Sequence, residues 1–98
     1  MQVQVVENRA DIVGTIREIT PHKELANQYT VTFDVETVQP VLGMTNLMTW
    51  AKGLSIDVTV GADEVAKRAL ARGQKITLRV KQAGPRAVVA VPMPKDKP

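Results

Sequence analysis

Few side chains in this sequence belong to types that make or break covalent bonds. There is no cysteine, so disulfides, thiolate metal sites and cysteine nucleophiles are excluded. His22 is the single histidine, and its neighbours Lys23 and Glu24 describe a solvated loop rather than a general base or metal ligand. Asp34 and Glu36 share one face of a strand, and Asp57 joins them if the second and third strands pair. Three carboxylates can hold a hard cation weakly, but no calcium-loop spacing surrounds them, and a hydrated strand face accounts for all three. Glycine-rich phosphate loops, zinc spacings and nucleophile elbows are absent. The expectation is a non-enzymatic chain with no catalytic residue, no metal and no cofactor.

Two other groups of residues suit binding. The first is cationic. The net charge of +3 conceals a polarity along the chain: residues 1–66 hold four basic and nine acidic residues, a net of −5, and residues 67–98 hold nine basic and one acidic, a net of +8. Such asymmetry predicts an anionic partner for the C-terminal part, or else two charged parts that neighbour each other in the fold. The second group is apolar. Leu42, Met44, Leu47, Met48 and Trp50 exceed what a solvated loop needs. They either fold back over a hydrophobic core or form a contact patch for a protein partner or a second subunit, uses to which methionine and tryptophan are suited.

The elements that position these groups follow from periodicity. A length of 98 residues suits one domain, taken as 1–92, followed by a tail at 93–98 that is expected to be disordered. Met1 to Val5 alternates and reads as a short lead-in strand. Residues 12–19 read as the first main strand, with Ile12 and Ile16 on one face and Gly14 between them marking a bulge or bend. In residues 28–38, Tyr29, Val31, Phe33 and Val35 point inward, while Thr30, Thr32, Asp34 and Glu36 point outward. From Gln39 to Gly53 the alternation fails, in a connection long enough to imply a purpose.

Alternation resumes at 54–60, with Leu54, Ile56, Val58 and Val60 inward. A short helix then follows, with Asp63 as N-cap and Gly73 at its C-terminal end. Residues 75–81 form a strand with Ile76, Leu78 and Val80 inward and Lys75, Thr77, Arg79 and Lys81 outward. Residues 86–91 form the last strand. No secretory leader and no apolar run of spanning length is present, so the chain is expected to be cytoplasmic and away from membranes.

Strand, strand, strand, helix, strand, strand resembles the OB-fold, a five-stranded Greek-key barrel. Gly14 falls where the first strand of that fold bends. The helix falls between the third and fourth strands. The segment from Ala71 to Val80 resembles a glycine-led approach to the fourth strand. The fold class expected is therefore all-β, an OB-like barrel with one short helix, over about residues 10–92.

The resemblance implies that the fourth strand adjoins the first. It also implies a ligand face on strands two and three, flanked by the first-to-second and fourth-to-fifth loops. That face has no aromatic residue and carries three acids, whereas single-stranded nucleic acid needs cations and stacking rings. The cations collect elsewhere: Lys75, Arg79, Lys81 and Arg86, extended by Arg17 on the first strand. They form a candidate track for a phosphate backbone, with Trp50 and Lys52 as a candidate base contact. The function expected is a non-catalytic OB-like domain binding single-stranded DNA or RNA by backbone electrostatics. The alternative is a protein-interaction or homo-oligomerisation module using the 41–50 loop.

Overall fold

The two-residue period of the sequence sets the strands, and the computed structural model, which describes residues 8–84 and 87–91, contains five of them. β1 (Ala10–Pro21) and β2 (Gln28–Pro40) form a long antiparallel hairpin running from Ala10↔Pro40 to Pro21↔Tyr29. β3 (Ser55–Gly61) lies antiparallel to β2. The helix α1 (Ala62–Lys67) leads to β4 (Lys75–Gly84), which pairs antiparallel with β1, and β5 (Ala87–Ala90) returns beside β4. β5 meets β3 in parallel, among the described residues at Thr59↔Val89, closing a barrel in the order β1-β2-β3-β5-β4. This is the all-β, OB-like barrel with a short helix between β3 and β4 that the sequence pattern implies. The expected lead-in strand at 1–5, Arg86 and the expected tail at 93–98 lie outside the described residues.

Burial follows the alternation. Val31, Phe33 and Val35 of β2, Ile56, Val58 and Val60 of β3, and Leu78 and Val80 of β4 all point into the barrel and are buried. Burying each such side chain contributes roughly 1.5–3 kcal/mol. Tyr29, expected inward with them, is half-buried at the start of β2.

Strands of 12 and 13 residues cannot keep strict alternation while curving around so small a barrel. Two bulges absorb the curvature. Val13↔Thr37 is followed by Gly14↔Val35, leaving Glu36 with no opposite residue; Ile16↔Phe33 is followed by Glu18↔Thr32, leaving Arg17 with none. Each extra residue shifts the phase of its strand by one. Ile19 and Val38 can therefore pack on the core although they are out of step with Ile16 and Val35. Gly14 sits at the first bulge, and a methyl group there would fall on the Asp34 carbonyl oxygen.

Two departures from the sequence pattern have local causes. Leu54, expected to face inward with Ile56, is exposed. Ala51 to Leu54 form a tight turn with Gly53 at φ 79°, and both Gly53 and Leu54 bond to Val35, through Gly53 N–H to Val35 O and Val35 N–H to Leu54 O. Two residues against one is a bulge, so inward alternation begins only at Ile56.

The helix is also shorter than expected. Its N-cap is Gly61, not Asp63, and it ends before Arg68. Asp63 and Glu64 lie in its first turn, where negative charge is favourable. Ala69 adopts φ 50°, with Ala69 N–H bonded to Ala66 O and Leu70 N–H to Val65 O. That is a Schellman ending with alanine where glycine is usual. Leu70 is then buried, and Gly73 serves a later turn whose N–H bonds to Ile16 O.

Two glycine–alanine exchanges should act in opposite directions. Ala69→Gly relieves a left-handed alanine and is expected to raise unfolding stability by about 1 kcal/mol. Gly14→Ala forces β1 off β2 and is expected to cost about 3 kcal/mol or more. Urea denaturation followed by circular dichroism checks both.

Candidate functional site

Of the cations expected to form a phosphate track, Arg17, Lys75 and Arg79 lie on the outside of β1 and β4, each facing a carboxylate. Arg79 and Asp11 are register partners, joined by Nε–H to Oδ1 at 2.8 Å and NH2 to Oδ2 at 3.1 Å. Their side chains are only 20% and 16% exposed. Hydrogen bonding to Asp11, opposed by partial burial, raises the Arg79 guanidinium above its ordinary value. The bulges place the other pairs. Arg17, the extra residue of β1, reaches Asp34 at 3.4 Å, and Glu36, the extra residue of β2, reaches Lys75 at 3.2 Å. Both pairs are exposed and contribute no more than about 1 kcal/mol each.

The charge polarity of the chain is thus partly absorbed within one face, where Asp11 and Glu36 from the acidic part meet Arg79 and Lys75 from the basic part. Lys81 is half-buried and Lys52 exposed, and among the described residues neither is in an ion pair.

On β2 and β3 the outer face is polar, as expected. An open groove of about 680 Å³ runs past Thr30, Thr32 and Asp57 to the β1–β2 loop. Thr32 donates to Asp57 at 2.9 Å. His22 is a loop residue that holds its own turn together. Its Nδ1 accepts the N–H groups of Glu24 and Leu25, both at 3.1 Å. Among the described residues no group of three metal-ligating side chains converges. Asp34, Glu36 and Asp57 each have a different partner. Nor is any helix among the described residues long and apolar enough to cross a membrane.

The connection between β2 and β3 divides into buried and exposed side chains. Met48 and Ala51 are buried and belong to the hydrophobic core. Asn46 Oδ1 accepts the Met48 N–H at 2.9 Å and holds that turn inward. The other large side chains turn out: Leu42 is fully exposed, and Leu47, Trp50 and Leu54 are 38–49% exposed. Met44 is half-buried. Leu42 protrudes because Val41–Met44 is a tight turn, with Gly43 at φ 81° and Met44 N–H bonded to Val41 O. Trp50 is anchored by its indole N–H, which donates to Gln82 Oε1 at 2.9 Å.

A polar clamp behind Trp50 has no periodic signal in the sequence. Asn8 is buried, its amide donates to Gln82 O at 3.1 Å, and its Oδ1 accepts the Gln82 N–H at 2.7 Å. Asn8 also bridges Thr45, and Arg9 N–H bonds to Thr45 O. Asn8 therefore links the start of the barrel to the end of β4 by its side chain and to the β2–β3 connection by its backbone.

No protein-family model matches the chain, nor does any curated protein or solved structure. The fold itself defines the class: a closed five-stranded barrel with OB-like strand order. On that frame the chain presents an ion-paired outer face and an apolar connection that is partly buried in the core and partly exposed.

Asn8→Ala takes away the side-chain partner of a part-buried N–H and C=O of Gln82. We expect a loss of about 2–3 kcal/mol in unfolding stability, together with a red shift of the emission of Trp50, the single tryptophan. Fluorescence-detected denaturation measures both.

Proposed function

We propose that this chain is a non-catalytic OB-like module that associates with a second copy of itself through the outward side chains of the β2–β3 connection. The observation that supports this is the split within that connection. Met48 and Ala51 already join the core, while Leu42, Leu47, Trp50 and Leu54 of the same connection remain exposed. Large apolar groups gathered in one exposed segment favour removal from water by a partner. Trp50 is held in place by Gln82, which lowers the entropy cost of using it as a contact.

Single-stranded nucleic acid is the second reading. It draws on the OB-like frame, on Trp50 with Lys52 two residues away, and on Lys81, which no carboxylate neutralises among the described residues. It also requires Arg17, Lys75 and Arg79 to exchange Asp34, Glu36 and Asp11 for phosphate. For the two exposed pairs the exchange costs little. For Arg79 it breaks a bidentate pair and leaves Asp11 facing the phosphates. The ion-paired face therefore favours the protein reading.

Light scattering coupled to size exclusion at about 10–200 µM, a range reaching typical weak-dimer affinities, separates the two. Self-association predicts a dimer that Leu47→Asp and Trp50→Ala convert to monomer. Nucleic-acid binding predicts instead a monomer that raises the anisotropy of a labelled single-stranded oligonucleotide at low salt. That signal should fall steeply as salt is added and be reduced in a Lys75/Arg79/Lys81 triple alanine variant.

A further inference from the structure

The loop between β1 and β2, residues 22–27, is tied at both ends by backbone bonds. His22 N–H donates to Gln28 O at 3.0 Å, and Ala62 N–H donates to Asn27 O at 2.9 Å. Neither bond involves a group that titrates. Between these ends the loop is gathered by a single side-chain atom. His22 Nδ1 accepts the N–H groups of both Glu24 and Leu25, each at 3.1 Å. This nitrogen stands as far along the side chain as the Oδ1 of an asparagine, and it closes the turn as an asparagine would. The difference lies in what a proton does. An amide oxygen keeps its lone pairs at any pH near neutrality. An imidazolium has two N–H donors and no acceptor. With a proton on Nδ1, three N–H groups would converge on one point.

We propose that His22 is a proton-operated latch on this loop. The neutral ring holds Glu24 and Leu25 in place. As pH falls and the ring takes up its second proton, both amides lose their acceptor and the loop opens between its two fixed ends. Loop order is therefore present on the alkaline side of the ring's titration and lost on the acid side. The consequence falls on the groove beside β2 and β3. The loop contributes His22, Lys23 and Glu24 to its lining, and the strands contribute Thr30, Thr32 and Asp57. The strand side is fixed by the pairs Thr30↔Thr59 and Thr32↔Asp57, so opening the loop moves one wall and leaves the other in place. The charged groups that share this groove with the half-buried His22 are Lys23 and Glu24 from the loop and Asp57 from β3, and Asp57 accepts the Thr32 hydroxyl. The latch uses none of the side chains assigned to self-association.

Nuclear magnetic resonance on the full chain reads the latch directly, because His22 is the single histidine. The ring signals are followed from about pH 8 to about pH 5, the interval in which an imidazole changes charge. Amide protection factors, corrected for the intrinsic pH dependence of exchange, are measured at the same points. Those of Glu24 and Leu25 are expected to fall roughly tenfold as the ring titrates, while the His22 amide keeps its protection through Gln28. His22→Asn is expected to hold the loop closed across the whole interval, and His22→Leu to leave it open across the whole interval. Lys23, Glu24 and Asp57 are present in all three chains, so a response that belongs to them persists in His22→Asn. Such a persistent response overturns the latch. Wild-type protection that stays constant while the ring titrates overturns it too, as does a His22→Leu chain that protects both amides as well as the wild type at pH 8.

Discussion

Closure of this barrel depends on how closely β1 passes under β2 at Gly14. The Asp34 carbonyl oxygen occupies the space where any side chain at position 14 would begin. At that point the 12-residue strand lies between Val35 of β2 on one side and Ile76 of β4 on the other. The bulge at the same point leaves Glu36 without an opposite residue, and the next one does the same to Arg17. Curvature and surface charge are thus linked. The residues expelled from the ladder by the bend are the ones that reach sideways to make ion pairs with Lys75 and Asp34.

That linkage bears on which ligands the surface favours. A cationic stripe read from sequence becomes, once strands are paired, a face on which bases and acids alternate. Arg79 is the clearest case: its two bonds to Asp11 are short and partly shielded from water, so its charge is committed. The apolar connection moves the other way. Part of it is withdrawn into the core, and nothing in the barrel's own packing requires the rest to stay outside.

The strands were legible because a half-buried strand must alternate, and the runs around Phe33, Val58 and Leu78 do so without interruption. The glycine bend was legible because an isolated glycine in such a run has few other uses. Leu54 was not, because the extra residue in the ladder arises from the turn at Gly53, which single-strand periodicity does not contain. The end of α1 departs from the pattern for a related reason. Gly73 is the residue with the expected chemistry, yet the helix stops at an alanine once Leu70 can reach the core. Asn8 and Gln82 gave no signal at all: their contact spans 74 positions, and nothing local distinguishes them from solvated polar residues. The ion pairs were foreshadowed only in sum, by opposite charge in the two parts of the chain.

Among the described residues β3 and β5 share a single rung, with a consequence for how the molecule comes together and apart. Every other seam of the barrel is a ladder of several rungs, so thermal breathing concentrates where one rung must hold. The β1–β2–β3 meander joins neighbours in sequence and can form early, whereas docking β4 against β1 closes a long loop and comes later. The seam at Thr59 and Val89 is then the last stitch on assembly and the first to slip, which gives the barrel a built-in direction of opening.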